Sequence, residues 1–377
     1  MTTPDEKLVI EGGKVKFATQ ARQIAAKGQG GVIIDYLRFT ILRDRIIQSG
    51  MGPEAQDPDT SRLMRIYATE HGIQSGADVQ DLDICRSMAL KFAELLGYEI
   101  GEQRPGRDYY EHTFTVVNAF GHEVASVSGG GDSQRDTFCF TLKGEGCTFA
   151  LPSWEYRTAK FFEPMFPKIT RIDLAKDCFD PSMLTVNAAV EAYKDHAFSY
   201  QNRLPSYSQH GCWIDGHSRT FQVGKRESGK LCRIYEKDHQ FGIMDGHWVR
   251  AEVELRSVNR VIPWEALSLP GQYFAGAYEF CNWLVHQDNP IPVKTQTKVA
   301  VVSVEAAMRW VTRVVAPTLV QITAAMPSYD WLDLLVGDNL TRRVPRALRG
   351  LNHSAVAEGL QKFFTKINPN PGFAAAV

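Results

Sequence analysis

The chain lacks most of the short motifs that announce a common catalytic chemistry. Among its ten histidines there is no H-E-x-x-H and no His-hydrophobic-His pair, and no G-x-S-x-G occurs. These absences remove zinc proteases, histidine-metal nickases and serine hydrolases. Seven cysteines, Cys85, Cys139, Cys147, Cys178, Cys212, Cys232 and Cys281, form no C-x-x-C pair and no close cluster at metal-ligand spacing. They read as reduced, mostly buried small hydrophobes of a cytosolic compartment. The N-terminus has no apolar core of a secretory signal, and the longest apolar stretch, around residues 300–325, is interrupted by Glu305, Arg309, Arg313 and Pro317. No membrane is therefore expected as a partner, and a cytoplasmic location follows. An excess of one charge is also missing: 42 Lys and Arg stand against 43 Asp and Glu, a net charge of -1. Any anionic partner must be met by a local patch.

What is present is an ordinary globular composition, 44% hydrophobic and 23% charged, over 377 residues. At ~150 residues per domain this length allows two or three domains. Residues 1–30 mix charges with the Gly-rich AAKGQGG and show no sustained period, so a flexible arm is expected there. The folded body is expected from 31 to 288, with halves at 31–150 and 151–288. GVIIDYLRFTI (31–41) reads as a strand, followed by helical patterns near 61–72 and 86–97. Strands then cluster in HTFTVVNAF, EVASVS and TFCFTL, separated by turns at Gly121-His122 and GGGDSQ, as in an antiparallel meander.

A second unit opens with the aromatic helical segment 152–166 and the strand KITRIDLAKDCF (168–179), then a helix expected to start at Asp180-Pro181-Ser182. Further strands are expected near 219–224, 230–237 and 248–257. VIIDYLRF and ITRIDLAKD share an apolar-Ile-Asp start, each ahead of a helix and a meander, which points to a duplicated α+β unit. From Pro263 the pattern turns helical at 263–286, 301–325 and 354–366, broken by a linker-like NPIPVKTQTK (289–298). The expected class is thus α+β: an antiparallel sheet with helices packed on it, followed by a helical C-terminal region over 289–377.

The most informative strand is WVRAEVELRS (248–257). Alternation puts Arg250, Glu252, Glu254 and Arg256 on one face and Val249, Ala251, Val253 and Leu255 on the other. Two carboxylates ~7 Å apart on one strand face suit a hard divalent cation such as Mg²⁺ or Mn²⁺. The alternative is a solvated face of self-neutralising Arg and Glu. TRIDLAKD (170–177) adds Asp173 and Asp177 on one face with Arg171; Asp173 is either a metal ligand or the partner of an Arg across the sheet. In GKLCRIYEKD (229–238), Arg233, Tyr235 and Lys237 share a face. Flanking cations are expected to ease loss of the phenolic proton, leaving Arg233 or Lys237 to stabilise an oxyanion. Against this, a strand tyrosine commonly serves packing.

GKRESGKL (224–231) matches G-x-x-x-x-G-K but carries Leu231 where a phosphate loop needs a hydroxyl, and it joins two strands. Its Lys225, Arg226 and Lys230, together with Arg250, are instead candidate contacts to a nucleic-acid backbone. Isolated His217, His239 and His247 read as polar surface groups. Residues 341–366 carry Arg342, Arg343, Arg346, Arg349, Lys362 and Lys366 against Glu358 alone, either a DNA patch or a solvated helix face.

Taken in order, IDYLRFT (34–40), TLKGEGC (141–147), TRIDLAKD (170–177), TFQVGKRESGKLCRIYEKD (220–238) and WVRAEVELR (248–256) resemble the replication initiation factor family, rolling-circle initiators of plasmids and filamentous phages related to conjugative-element relaxases. The resemblance spans roughly residues 31–260. It implies an endonuclease-ligase that nicks one origin strand through a tyrosine, with Tyr235 as nucleophile and Asp173, Glu252 and Glu254 as metal ligands. The choice between the two glutamates stays open. The resemblance further implies a 5′-phosphotyrosine intermediate formed without ATP. Its partners are duplex and single-stranded origin DNA, a host helicase and a DNA polymerase, with a homodimer allowed. Two other readings stand beside this one: a relaxase of the same chemistry, and a catalytically idle DNA-binding regulator on the same sheet. Tyr193, Tyr200, Tyr207, Tyr109 and Tyr110 compete with Tyr235 for the nucleophile's role.

Overall fold

Period-2 alternation over apolar and polar residues builds the centre of the molecule from two strands, β1 (Ile33–Leu42) and β6 (Lys168–Cys178), which pair antiparallel. The computed structural model describes residues 12–49, 76–199, 203–241 and 246–294, with 311 and 315 beyond them. The chain divides into two units, Met1–Thr295 and Gln296–Val377. The helices expected at 61–72 and 354–366, that at 301–325 but for residues 311 and 315, and Arg342, Arg343 and Arg346 lie outside the described residues.

From β1 the chain runs through α2 (Arg43–Gln48) and α3 (Gly76–Leu96) into a meander of β2 (Glu99–Pro105), β3 (His112–Val117), β4 (Glu123–Gly129) and β5 (Thr137–Leu142), which returns to pair with β1. After α4 (Gly144–Phe149) and α5 (Trp154–Phe162), β6 repeats the plan. The helix α6 (Val186–Lys194) leads to β7 (Tyr207–Cys212), β8 (His217–Lys225), β9 (Lys230–Glu236) and β10 (Val249–Arg256), and β10 returns to β6. The result is one ten-stranded antiparallel sheet in the order β2-β3-β4-β5-β1-β6-β10-β9-β8-β7. The two halves mirror each other about the β1–β6 seam, which is the duplicated α+β unit that the repeated Ile-Asp start suggests.

One face of the sheet is apolar and carries the helices. On β10, Val249, Ala251, Val253 and Leu255 point into this core. So do Leu37, Phe39 and Ile41 of β1. In α3 the stripe Ile84, Cys85, Met88, Ala89, Phe92, Ala93 and Leu96 is buried, and Gly97 ends the helix at φ +80°, a left-handed position that a Cβ would strain. Phe39 and Phe140 stack at 4.6 Å, with Phe162 edge-on to Phe39 at 5.1 Å, so sheet and helices lock together through aromatic rings.

Three local expectations change. Residues 12–25 form a helix, α1, where composition suggested an arm through residue 30. Its Thr19 and Gln23 are buried, and the Gln23 amide donates to Asp177 at 3.0 Å. A helix held by polar contacts carries no apolar stripe for a periodicity reading to find. Second, α6 starts at Val186, where the Thr185 hydroxyl accepts from the Ala188 N–H at 3.0 Å. Asp180 caps only a turn, accepting from the Ser182 N–H. Third, the helical pattern of 263–286 is broken into short pieces, among them α7 (Pro270–Ala275) and α8 (Glu279–Val285). Among the described residues no helix is long and apolar enough to cross a membrane.

Arg250, expected as a DNA contact, is buried in the sheet and fastens its strands. It is 2% exposed and donates to Asp177 at 2.7 and 2.8 Å and to Asp35 at 2.8 Å, tying β10 to β6 and β1. Arg250→Ala should therefore destabilise the fold by about 3–5 kcal/mol in urea unfolding, because it strands two carboxylates. Unchanged stability together with a weaker salt dependence of DNA binding would return Arg250 to the DNA surface.

Candidate active site

The opposite face of the central strands is polar yet largely out of water. In register, Glu254 of β10 lies across from Asp173 of β6, Glu252 across from Arg233 of β9, and Arg250 across from Tyr235. Asp173, Glu252 and Glu254 are 2%, 3% and 1% exposed. A cleft of about 350 Å³ opens onto this face, and Asp35, Tyr36, Asp173, Arg233, Tyr235 and Glu252 line it.

Buried carboxylates at this density stay charged only with cations beside them. Arg171 donates to both oxygens of Asp173, at 2.8 and 2.5 Å. Glu254 is held by Arg256, by Arg226 at 3.1 Å and by Arg171 at 3.4 Å. Glu252 divides its oxygens: Oε1 takes Arg233, and Oε2 accepts the Tyr235 hydroxyl at 3.0 Å. One Arg233 nitrogen thus bonds Glu252 and lies 3.9 Å from Glu254 and 4.0 Å from Asp173, central to all three acids. Its Nε is buried without a hydrogen-bond partner.

These surroundings set distinct protonation states. Burial pushes the Asp173 carboxyl up to about 7, and the neighbouring Glu252 and Glu254 add to the shift against the pull of Arg171. Burial also raises Glu254, but the bond to Arg256 and the charges of Arg171 and Arg256 outweigh it and hold this carboxyl below its ordinary range. Tyr235 departs from the expectation drawn from its flanking cations. Burial, then the negative charge of Glu252, pushes its phenol well above the ordinary value, so cations alone do not make it a phenolate. Lys237 sits 5.5 Å over the Tyr235 ring and bonds Gln240 at 3.0 Å, with its ammonium lowered by burial and by Arg250.

The turn between β8 and β9 divides its basic residues. Lys225 and Arg226 are exposed, although Arg226 also reaches back to Glu254. Lys230 is no backbone contact: its ammonium donates to the Ala277 carbonyl at 2.6 Å, lies 3.9 Å over the Tyr278 ring and is lowered by burial to about 8. The competing tyrosines fall elsewhere. Tyr193 donates to the Pro205 carbonyl and packs among aromatic rings, Tyr207 packs on it, Tyr110 pairs with Thr137, and Tyr109 is exposed. Tyr200 lies outside the described residues.

Reasoning from sequence missed Asp35 and Tyr36. A bulge between Ile34 and Tyr36 gives β1 two successive residues on the polar face, which strict alternation forbids. The Arg171 guanidinium then lies 4.1 Å over the Tyr36 ring. Gly144, Arg171, Thr220 and Gln240 complete the lining of the cleft. The signal for Asp35 was the repeated Ile-Asp pair, since duplication puts it on the strand beside Asp173.

The donor set bears on a divalent cation. Asp173, Glu252 and Glu254 offer oxygen alone, as Mg²⁺ and Mn²⁺ prefer, and burial leaves the Asp173 carboxyl raised. Asp173 and Glu252 line the cleft, whereas Glu254 faces Arg226 and Arg256. The first two are the oxygen donors that would fit such an ion.

Residues 167–336 match the family model described as replication initiation factor. The described part of that match holds β6 to β10 and with them Asp173, Tyr235, Glu252 and Glu254. This match agrees with the ordered motifs of the sequence. A solved structure of a rolling circle replication initiator protein from Geobacillus stearothermophilus is similar at 20% identity and a TM-score of 0.39, over 60% of this chain and 74% of that one. No curated protein matches.

Asp173 makes the site's chemistry visible in stability. Its carboxyl rises from 3.8 to about 7 on folding, so between these values the native state binds more protons than the unfolded one and stability falls as pH rises. Asp173→Asn should remove that fall. Thermal unfolding of both proteins across this window checks it: the variant's melting temperature should gain on wild type toward pH 7, and parallel curves would contradict the assignment.

Proposed function

We propose that the protein initiates rolling-circle replication by nicking and rejoining one strand of origin DNA through Tyr235. The carrying observation is the hydrogen bond from the Tyr235 phenol to Glu252 at 3.0 Å, made in a cleft shared with Asp173 and two arginines. A phenol held protonated by burial needs a base at the moment of attack, and Glu252 Oε2 stands within transfer distance. As Tyr235 Oη attacks phosphorus, its proton passes to Glu252, the phosphorus–O3′ bond breaks, and the 3′ oxygen leaves and takes a proton from solvent to become a 3′-OH. Arg233 and Arg171 offset charge on the non-bridging oxygens, and the unpartnered Arg233 Nε is a ready donor.

Asp173 and Glu252 would hold Mg²⁺ or Mn²⁺, which supplies Lewis-acid polarisation of the phosphate. Glu254 keeps Arg171 and Arg226 in place and acts through them. The bond energy stays in the phosphotyrosine, so a later 3′-OH rejoins the strand with no nucleotide cofactor. The released 3′-OH suits a DNA polymerase, and duplex opening suits a helicase.

The test uses origin-bearing supercoiled DNA and a single-stranded origin oligonucleotide with wild type, Tyr235→Phe and Glu252→Gln. Wild type should nick and form a covalent adduct. Tyr235→Phe should form none while binding DNA unchanged, and Glu252→Gln should slow nicking by about 10²–10⁴-fold, the range of a lost general base. An adduct persisting in Tyr235→Phe would overturn the assignment.

A further inference from the structure

The β7–β8 hairpin closes the outer edge of the sheet, and its tip gathers three chemically different donors. Cys212 and His217 are paired across the hairpin, so their side chains leave the same face. The intervening Trp213-Ile214-Asp215-Gly216 turn folds Asp215 back, and Cys212 Sγ lies 2.9 Å from its Oδ2. Gly216 at φ +73° and Ser218 at φ +53° make this reversal tight enough to return His217 opposite Cys212. One thiol, one carboxylate oxygen and one imidazole nitrogen then all lie within 4.8 Å of one another. Among the described residues they are the one such group of metal-ligating side chains that converges this closely.

We infer that Cys212, Asp215 and His217 form a second cation site, for Zn²⁺ or a similarly thiophilic divalent ion, with an open fourth position. The donor types decide the ion. A thiolate with an imidazole selects Zn²⁺ over Mg²⁺, whereas the oxygen-only set at Asp173 and Glu252 selects the reverse. Tetrahedral zinc takes sulfur at ~2.3 Å and nitrogen or oxygen at ~2.0–2.2 Å, so the three donors need only small side-chain rotations to close. On binding, the Cys212 S–H bond breaks, its proton goes to solvent, and sulfur gives its electron pair to the metal. Cys212 is also suited by access: it is half-buried at the tip, and the other six cysteines are buried.

The site is placed to act on the cleft. His217 opens β8, the next residue's N–H donates to His239 Nδ1 at 2.7 Å, and His239 adjoins Gln240, which lines the cleft with Thr220 of β8. A metal that fixes the tip would brace β8, which carries Thr220 to the cleft, and through the Ser218–His239 bond the adjoining Gln240. This assignment does not depend on the nicking chemistry.

The experiment titrates the reduced, chelator-treated full chain with Co²⁺ alone and follows thiolate-to-cobalt charge-transfer absorption. One equivalent should produce the band, and Zn²⁺ should abolish it. Cys212→Ser should remove the band, Asp215→Asn and His217→Ala should weaken binding at least tenfold, and Asp173→Asn should leave the band intact. Far-ultraviolet circular dichroism establishes that each variant is folded. Absence of the band in wild type, or its survival in folded Cys212→Ser, would overturn the proposal, as would its loss in Asp173→Asn.

Discussion

Three carboxylates, Asp173, Glu252 and Glu254, are buried side by side on the central strands, and nearly every feature of the polar face answers that one electrostatic demand. Isolated, each would be expelled or protonated. Here Arg171, Arg226, Arg233 and Arg256 surround them, and Arg250 does the same for Asp177 and Asp35. Even so, the Asp173 carboxyl stays raised, chiefly because burial strips it of water, with Glu252 and Glu254 adding to the shift. Under the proposed chemistry a divalent cation held by Asp173 and Glu252 would take the place of a proton there and polarise the phosphate under attack.

Duplication explains how such a site arises and why it is one-sided. Both halves place a strand, a helix and a meander about the β1–β6 seam, and both contribute an aspartate at the seam, Asp35 and Asp173. The meander strands beyond them diverge. In the second half β9 and β10 carry Arg233, Tyr235, Glu252 and Glu254, whereas β4 and β5 of the first half carry Ser126, Ser128, Cys139 and Thr141 on register positions of the same sheet. The first half therefore supports the cleft from β1, and the second supplies the groups proposed to react.

The parts of this arrangement that strand alternation governs were legible in the sequence: the faces of β6, β9 and β10, which put Asp173, Glu252 and Glu254 on one face, although the three acids do not close into a metal-binding group as tight as that at the β7–β8 tip. What escaped depended on departures from that period or on tertiary neighbours. Strands β2 and β7 are edge strands whose residues EIGEQRP and YSQHGC show no apolar alternation, because neither face is buried. Asp35 and Tyr36 share a face only through the bulge. Lys230 and Arg250 look like phosphate contacts until Tyr278 and Asp177 are seen beside them. His217 and Cys212 look unrelated until the hairpin joins them.

The central claim is that burial and the charge of Glu252, not the flanking cations, set the state of the phenol proposed to attack, keeping Tyr235 protonated on Glu252. An ultraviolet difference titration of wild type against Tyr235→Phe isolates the ionisation of that one ring. The account predicts no phenolate from Tyr235 at any pH up to 10 at which the protein remains folded. A phenolate signal near neutral pH, present in wild type and missing from the variant, would contradict it.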